Sequence, residues 1–309
     1  MAERVIPRSA DPELPLLVVV SYDRAGRVTT LRQPAFDEMT QVLVVHDEEA
    51  KDAYELIQDC GKAQLFVSGV RAGYPGSGKV RQMQWVWEQL DEGEVVVFAD
   101  DDIKFCSAAP KAYDGIDNVV LPADERMLGP IAREFRTEID AKRWRELFFS
   151  TLARMNAQET VMGGFAVVDN YFFRLKHWRR VGYVSGHLII MRKDSRFKWD
   201  ENIPMEDYRN SAEVCKVFGS VVLNNFGFFE HSTYIEGGLG TAEERLPFRA
   251  PDCETLMRIY PGFFRIKESG IMAGADLSVS VTDVTLDRWV DMIRKVEEEA
   301  AIESEGLFK

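Results

Sequence analysis

The first hundred residues alternate between short apolar runs and segments in which apolar residues recur at helical spacing. Apolar runs rich in β-branched residues are typical of strands buried on both faces, and they occur at 14–21, 41–46, 64–68 and 95–99. Helices are predicted between them, at 29–38 with a break near Pro34, at 48–60 ending at Gly61, and at 79–90. This alternation favours an α/β fold that contains parallel strands.

The pattern changes after residue 105. Strands of a mixed, partly antiparallel region are predicted at 164–169, 171–173, 186–191 and 220–229. One or two helices are predicted within 129–156, one at 205–218 and a polar one at 282–303, and loops from 236 to Pro261. We therefore expect one domain over 1–280, with a first half at 14–105 and a second at 106–280, followed by a C-terminal helix and tail at 281–309.

Composition narrows the class of protein. The chain has 309 residues, of which 46% are hydrophobic and 29% charged, as expected for a globular protein with a sizeable core. It has no apolar run of membrane-helix length and no apolar signal segment, so we expect a cytoplasmic protein without a membrane partner. Its four scattered cysteines predict neither a zinc site nor a disulfide framework.

Three consecutive carboxylates, Asp100, Asp101 and Asp102, directly follow the fourth predicted strand. Adjacent carboxylates repel one another, so a positive charge must compensate them, and Mg²⁺ or Mn²⁺ is the simplest candidate. The alternative is a solvated acidic turn. Ligands of open α/β sheets bind beyond the carboxyl ends of the strands, which is where these residues are expected to lie.

A second candidate lies after the first strand, where Ser21, Tyr22, Arg24 and Arg27 form a short polar loop. A ring for stacking and two guanidinium groups suit the base and diphosphate of a nucleotide.

Glu206 and Asp207 begin the helix predicted at 205–218. Carboxylates at a helix N-terminus can simply stabilise the helix dipole, or one of them can remove a proton from an acceptor hydroxyl. His231 follows the last predicted strand and is either a structural histidine or a further metal or phosphate contact.

The segment from Gly73 to Lys79 matches the G-x-x-x-x-G-K part of a phosphate-binding loop. Val80 stands where a Ser or Thr hydroxyl would bind Mg²⁺, so a simple turn or a donor-binding loop stays open beside a true nucleotide triphosphate loop.

The net charge of −13 and the pI near 4.9 argue against a protein that coats nucleic acid nonspecifically. Positive charge is nevertheless concentrated in two segments, at 133–145 and 174–180. Each is either a solvated helix face or part of a local basic groove.

The order of these motifs resembles that of GT-A nucleotide-sugar glycosyltransferases, which hold a metal and the donor diphosphate on an Asp-x-Asp motif. In detail it is similar to the TET/JBP-associated glycosyltransferases, found mainly in bacteriophages. The residues that carry the narrower match are SYDRAGR at 21–27, GKVR at 78–81 with Trp85 and Trp87, FADDDIKF at 98–105, Glu206 with Asp207, and His231 with its following glycines.

The resemblance implies a GT-A type, Rossmann-like mixed sheet flanked by helices, with a partly antiparallel C-terminal half. It implies transfer of a sugar from a UDP-sugar to a hydroxymethylated pyrimidine, 5-hydroxymethylcytosine, in phage DNA within the host cytoplasm.

The resemblance also implies roles for individual residues. Asp100, Asp102 and His231 would hold Mn²⁺ or Mg²⁺, and Asp100 and Asp101 would also bind the donor. Glu206 or Asp207 would face the acceptor. The donor would be contacted by Ser21, Tyr22, Arg24, Arg27 and Arg81. DNA contacts would come from Arg143, Arg174, Lys176 and Arg179.

Two other classes stay open: a glycosyltransferase with a saccharide or small-molecule acceptor, and a P-loop kinase or noncatalytic nucleotide-binding module. The sugar, the anomeric outcome and the oligomeric state also stay open.

Overall fold

The computed structural model describes residues 4–22, 24–56, 60–69, 77–108, 138–166, 178–200, 205–231, 242–269 and 273–306. The strands are β1 (Leu16–Val20), β2 (Gln41–Val45), β3 (Gln64–Val67), β4 (Val95–Asp100), β5 (Ile103–Ala108), β6 (Met162–Ala166), β7 (Trp178–Arg179), β8 (Leu188–Arg192), β9 (Val222–His231), β10 (Phe264–Ile266) and β11 (Leu277–Val279). The helices are α1 (Glu48–Leu56), α2 (Ser77–Trp87), α3 (Ala141–Ala157), α4 (Glu206–Phe218), α5 (Ala242–Ile259) and α6 (Leu286–Gly306).

Nine of the described strands form one mixed sheet. Eight follow the order β3-β2-β1-β4-β8-β6-β9-β5, and β7 pairs with β9 beside this path. Strands β3, β2, β1 and β4 are parallel, whereas β8 runs antiparallel to both of its neighbours, β4 and β6. The predicted fold class, an α/β mixed sheet flanked by helices with a partly antiparallel C-terminal half, is confirmed.

The register of the central strands brings several chain segments to one end of the sheet. Val20 of β1 pairs with Asp100 of β4, so both strands end at the same level. The antiparallel strand β8 starts there, with Leu188 opposite Ala99. Ile103, the first residue of β5, pairs with His231, the last residue of β9. Segments that are distant in sequence therefore meet at this edge.

The sheet separates two hydrophobic cores, because successive residues of a strand point to opposite faces. On one face, residues such as Val18 of β1 pack with apolar residues of α2, α4, α5 and α6. On the other face, residues such as Val19 pack with Phe36, with Tyr54 of α1 and with α3. Burial on both faces explains why the central strands read as continuous apolar runs.

The segment after residue 240 differs from its prediction. Within the expected loops, α5 forms over 242–259 and contains Pro247 and Pro251, while 236–241 lie outside the described residues. Proline removes a helical N–H donor and argues against a helix in sequence, but Cys253 and Leu256 of α5 are fully buried. Burial of this face stabilises the helix despite the two prolines, because tertiary packing outweighs intrinsic propensity.

Other differences are smaller. The helix expected at 29–38 is two short 3₁₀ helices, Thr30–Arg32 and Pro34–Phe36, separated at the expected break. Strands β5, β7, β10 and β11 were not predicted. The strand predicted at 171–173 and parts of the helices predicted at 129–156 and 48–60 lie outside the described residues.

Among the described helices, none is both long and apolar enough to cross a membrane.

Trp144 tests the packing of the second core. Its side chain is 1% exposed, and its ring contacts those of Phe36, Phe165 and Phe229 at centroid distances of 5.2, 5.5 and 5.8 Å. We expect Trp144→Ala to lower the free energy of unfolding by about 3–5 kcal/mol, because it leaves a cavity under the sheet. Urea unfolding measures the change. Val284→Ala, at a side chain that is 88% exposed, should change stability by less than about 0.5 kcal/mol. A loss below about 1 kcal/mol for Trp144→Ala would contradict this assignment.

Candidate functional site

The turn between β4 and β5 presents all three consecutive carboxylates. Thr30 fixes its backbone, since its hydroxyl donates to the Asp100 carbonyl at 2.5 Å and accepts from the Ile103 amide at 2.9 Å. The Thr29 amide donates to the Asp101 carbonyl at 2.9 Å. The segment after β1 thus holds the acidic turn in place.

Arg24 compensates two of the three carboxylates. Its Nη1 donates to Asp101 Oδ1 at 2.8 Å and to Asp102 Oδ2 at 2.7 Å. The Ser21 hydroxyl also donates to Asp101 and lies 2.5 Å from the hydroxyl of Tyr54. Ser21, Arg24 and Asp101, three residues predicted to bind a donor, are brought together, and the buried Tyr54 was missed by sequence reasoning.

The remaining carboxylate, Asp100, is bound by Lys79 from the first turn of α2. Lys79 Nζ lies 2.6 Å from Asp100 Oδ1, 3.1 Å from Glu206 Oε1 and 3.0 Å from the Gly186 carbonyl. These contacts use all three ammonium protons. Lys79 therefore links the acidic turn to the carboxylates at the start of α4.

Gly186 makes this close approach possible. A Cβ atom at this position would lie 2.7 Å from Lys79 Nζ and 3.4 Å from Glu206 Oε1. Any larger residue would displace the ammonium group, so glycine at this position leaves room for the contacts of Lys79.

His187 lies at the centre of the site and was missed in the sequence. Its Nδ1 is 2.7 Å from Asp100 Oδ2, and its carbonyl accepts from the Asp100 amide at 3.0 Å. In the sequence, His187 directly precedes a strand. This position indicates a site residue only once the strand is known to run antiparallel beside β4.

Asp100, Asp102 and His187 form a group that could hold a metal ion, since each offers a ligand atom within 4.8 Å of the others. The environment of Asp102 fits a cation. Its side chain is 10% exposed, and its Oδ1 is buried without a hydrogen-bond partner. A buried carboxylate oxygen without a partner is costly, and a hard divalent cation would satisfy it.

The pKa values of the three aspartates diverge. Burial raises the pKa of Asp101 to about 6, despite Arg24 and Ser21. Burial and the nearby charge of Asp100 also raise the pKa of Asp102. The pKa of Asp100 is lowered, because Lys79 and His187 outweigh the effect of burial. Asp100 is thus the carboxylate that stays ionised most readily.

Glu206 and Asp207 begin α4, as predicted. The residue before them, Met205, has a left-handed backbone with φ of 57°, which is strained for a residue that carries a side chain. Burial raises the pKa of Glu206, and the charges of Asp207 and Asp100 act in the same direction. Asp207 accepts a hydrogen bond from the Tyr183 hydroxyl, and the backbone amide of Gly186 lies 3.5 Å from the same oxygen.

Residues from the C-terminal part of the chain hold Asp207 in place indirectly, through two tyrosines. Tyr183 stacks on Tyr208 at a centroid distance of 4.2 Å. The Tyr208 hydroxyl donates to Asp276 Oδ1 at 3.0 Å, and Asp276 Oδ2 lies 2.6 Å from Lys267 Nζ. Lys267, which follows β10, and Asp276, which precedes β11, therefore help to hold Asp207.

The other residues predicted to contact the donor are Tyr22, Arg27 and Arg81. Tyr22 is 42% exposed, and its ring lies 4.8 Å from that of His46 at the end of β2. Arg27 is exposed, and its amide donates to the Arg24 carbonyl at 2.9 Å in a turn that includes Gly26 with φ of 84°. Arg81 is partly buried in α2, one helical position beyond Val80.

The remaining predicted site residues are His231, proposed for the metal, and four basic residues, proposed for DNA. The backbone of His231 lies opposite Ile103, and its metal role stays a prediction. Arg143 pairs with Glu146 of its own helix at 3.0 Å, and Arg179 lies on the short strand β7. Their DNA role also stays a prediction, and Arg174 and Lys176 lie outside the described residues.

Comparison with known proteins finds no matching protein-family model and no match among curated proteins.

Asp101 should make stability depend on pH. Its pKa is about 6 in the folded protein against a usual 3.8, so the folded state keeps a proton that the unfolded chain releases. This contribution is complete below about pH 3 and is lost as the pH rises through the folded pKa to about 7. In the presence of EDTA, the stability difference between wild type and Asp101→Asn should therefore fall by about 3 kcal/mol over this range.

Urea unfolding of both proteins at a series of pH values measures this difference. A difference that rises with pH would mean that the ion pair with Arg24 outweighs burial, which would contradict the assignment.

Proposed function

We propose that this protein is a metal-dependent glycosyltransferase that moves a sugar from a nucleotide-diphosphate donor to a hydroxyl group. The observation that carries the proposal is the group of Asp100, Asp102 and His187 with the unpartnered Asp102 Oδ1, at the end of β4 and linked through Lys79 to the carboxylates of α4. A metal-binding acid turn beside a separate acid pair suits donor activation and acceptor deprotonation.

The donor half of the site would be the edge formed by the ends of β1, β2 and β4. Tyr22 and His46 offer an aromatic surface for a base. Arg27 and Arg81 are the predicted cations for the diphosphate, while Arg24 is engaged by Asp101 and Asp102. We propose a UDP-sugar as donor, on the resemblance of the SYDRAGR and FADDDIKF segments to glycosyltransferases.

The metal would be Mn²⁺ or Mg²⁺, held by Asp100, Asp102 and His187, with His231 as a further candidate. When bound, the cation neutralises charge that develops on the leaving diphosphate. The charge count fits a single divalent ion: Asp100, Asp101, Asp102, Glu206 and Asp207 carry five negative charges when ionised, against three positive charges of Arg24, Lys79 and Arg249. A divalent cation would balance the remaining two.

Glu206 and Asp207 are the proposed acceptor-side residues. The raised pKa of Glu206 makes it a stronger base than an ordinary carboxylate. Asp207 is held by Tyr183, so it can orient an acceptor hydroxyl or accept its proton. One of the two carboxylates would take the hydroxyl proton as the oxygen attacks the anomeric carbon.

The acceptor we propose is 5-hydroxymethylcytosine in DNA, which rests on the narrower resemblance. Such a base has to leave its stack before a closed site can reach its hydroxyl group. A saccharide or small-molecule acceptor is the second candidate, and it uses the same donor site.

The P-loop alternative is less well supported by the geometry. A phosphate-binding lysine needs free ammonium protons, whereas those of Lys79 are directed at Asp100, Glu206 and the Gly186 carbonyl.

Asp102→Asn tests the metal and the transfer step together. The substitution keeps the shape of the side chain but removes the charge that the cation needs. We expect Mn²⁺ binding to be lost and sugar transfer to fall by about 100-fold or more. Isothermal titration calorimetry measures Mn²⁺ binding, and transfer is followed by release of UDP. Asp291→Asn, at an exposed acid of α6, is the matched control and should leave both unchanged. Full activity of folded Asp102→Asn would remove Asp102 from the site.

The acceptor is tested by mass spectrometry of nucleosides. The protein is incubated with Mn²⁺, a panel of UDP-sugars and DNA that contains either cytosine or 5-hydroxymethylcytosine. We expect a hexose adduct only on hydroxymethylated DNA, and a rate under subsaturating DNA that falls at least about tenfold between 50 and 200 mM salt, because phosphate contacts release counterions.

Salt-insensitive transfer to free saccharides alone would favour the second candidate. Thermal stabilisation by ATP and Mg²⁺ without any response to UDP-sugars would favour the P-loop class instead.

A further inference from the structure

The proposed transfer reaction gives Lys79 no role of its own. It belongs to the Gly73–Lys79 motif, whose phosphate-binding interpretation its contacts do not support. Its ammonium group lies between the acid turn and α4, its side chain is 22% exposed, and each of its three contacts is to an oxygen of the protein itself. A partly buried cation in this position favours the ionised forms of the carboxylates around it.

We propose that Lys79 is the internal counter-ion of the metal-free site, and that it competes with the divalent cation for Asp100. This inference rests on the proposed metal site and adds the residue that regulates its occupancy. Lys79 is thus a positioning residue, which holds Asp100 and Glu206 together until the metal takes its place on Asp100.

The distribution of contacts over the four oxygens of Asp100 and Asp102 supports this competition. Lys79 is bound to Asp100 Oδ1, His187 to Asp100 Oδ2, and Arg24 to Asp102 Oδ2. Of these four oxygens, Asp102 Oδ1 alone is buried and has no hydrogen-bond partner among the described residues. An incoming cation can therefore bind Asp102 directly, but on Asp100 it meets an ammonium group 2.6 Å from the carboxylate.

Repulsion between the two cations favours a rearrangement. A divalent ion and an ammonium group on one carboxylate repel each other, and screening by water is limited because the Asp100 side chain is only 21% exposed. Lys79 has two further acceptors, Glu206 and the Gly186 carbonyl. It can leave Asp100 and stay bound to these two, so metal binding would shift its charge from the acidic turn towards the acceptor-side carboxylate.

Lys79→Met tests the competition by calorimetry with MnCl₂. Removing the competing charge should tighten Mn²⁺ binding by at least about tenfold. Mn²⁺ should also raise the melting temperature of the variant more than that of wild type, because the variant lacks the counter-ion that the metal replaces. Lys193→Met is the matched control. Lys193 also donates to a carbonyl, that of Trp87 at 2.7 Å, but it follows the opposite end of β8, so its loss should leave Mn²⁺ affinity unchanged.

A measurement on the wild-type protein covers the case in which Lys79→Met does not fold. Acetylation of lysines by acetic anhydride is followed by peptide mass spectrometry with and without Mn²⁺. Lys79 should be acetylated several-fold faster with Mn²⁺, because one of its contacts is lost, while the exposed Lys62 should not change. A lysine with a purely structural role would be protected further by the metal.

The outcomes separate this inference from the proposed function. If wild type does not bind Mn²⁺, the metal site and the competition are both wrong. If wild type binds Mn²⁺ but folded Lys79→Met binds it equally or more weakly, or if Mn²⁺ slows or does not change acetylation of Lys79, only the competition is wrong. Transfer from a UDP-sugar, measured separately, would then still support the glycosyltransferase.

Discussion

The candidate site depends on ion pairs that offset the repulsion between several carboxylates at one edge of the sheet. Asp100, Asp101 and Asp102 follow each other in a tight turn, and Glu206 approaches them from α4 within reach of the same ammonium group. Repulsion of this kind would push β4, β5 and α4 apart. Arg24 and Lys79 oppose it from two other segments, so the loop after β1 and the start of α2 are drawn to the same point as the acids. The geometry of the edge follows from this pairing of charges.

Much of the first half of the fold could be predicted, because strands β1, β2 and β4 are buried on both faces and read as apolar runs. The acid turn could be predicted for the same reason, since three carboxylates after such a strand are conspicuous. Strand β5 could not, because it follows the turn without a break and alternates poorly, with Lys104 exposed between Ile103 and Phe105. Helix α5 could not, because its prolines argue for a loop and only tertiary burial of Cys253 and Leu256 stabilises it.

The partners of the acids were harder to predict than the acids themselves. Arg24 was expected at the donor, but its engagement with Asp101 and Asp102 depends on the folded path of the loop. Lys79 looked like a phosphate-binding residue, since sequence spacing carries no information about the Gly186 carbonyl or Glu206. The role of His187 could not be predicted because it depends on the direction of β8. Since β8 runs antiparallel to β4, its first residues lie beside the end of β4, whereas those of a parallel strand would lie at the opposite edge of the sheet.

The path from Asp207 through Tyr183 and Tyr208 to Asp276 has a consequence for the smallest fragment that could retain the site. Asp276 and Lys267 belong to the segment around the β10–β11 hairpin, and α6 contributes the buried residues Leu286, Trp289 and Ile293 to the core beneath it. A fragment ending after β9 would contain every proposed catalytic and metal-binding side chain, yet its tyrosine pair would lose its anchor. The 78 residues after β9 supply no proposed ligand, and the alignment of Asp207 nevertheless relies on them.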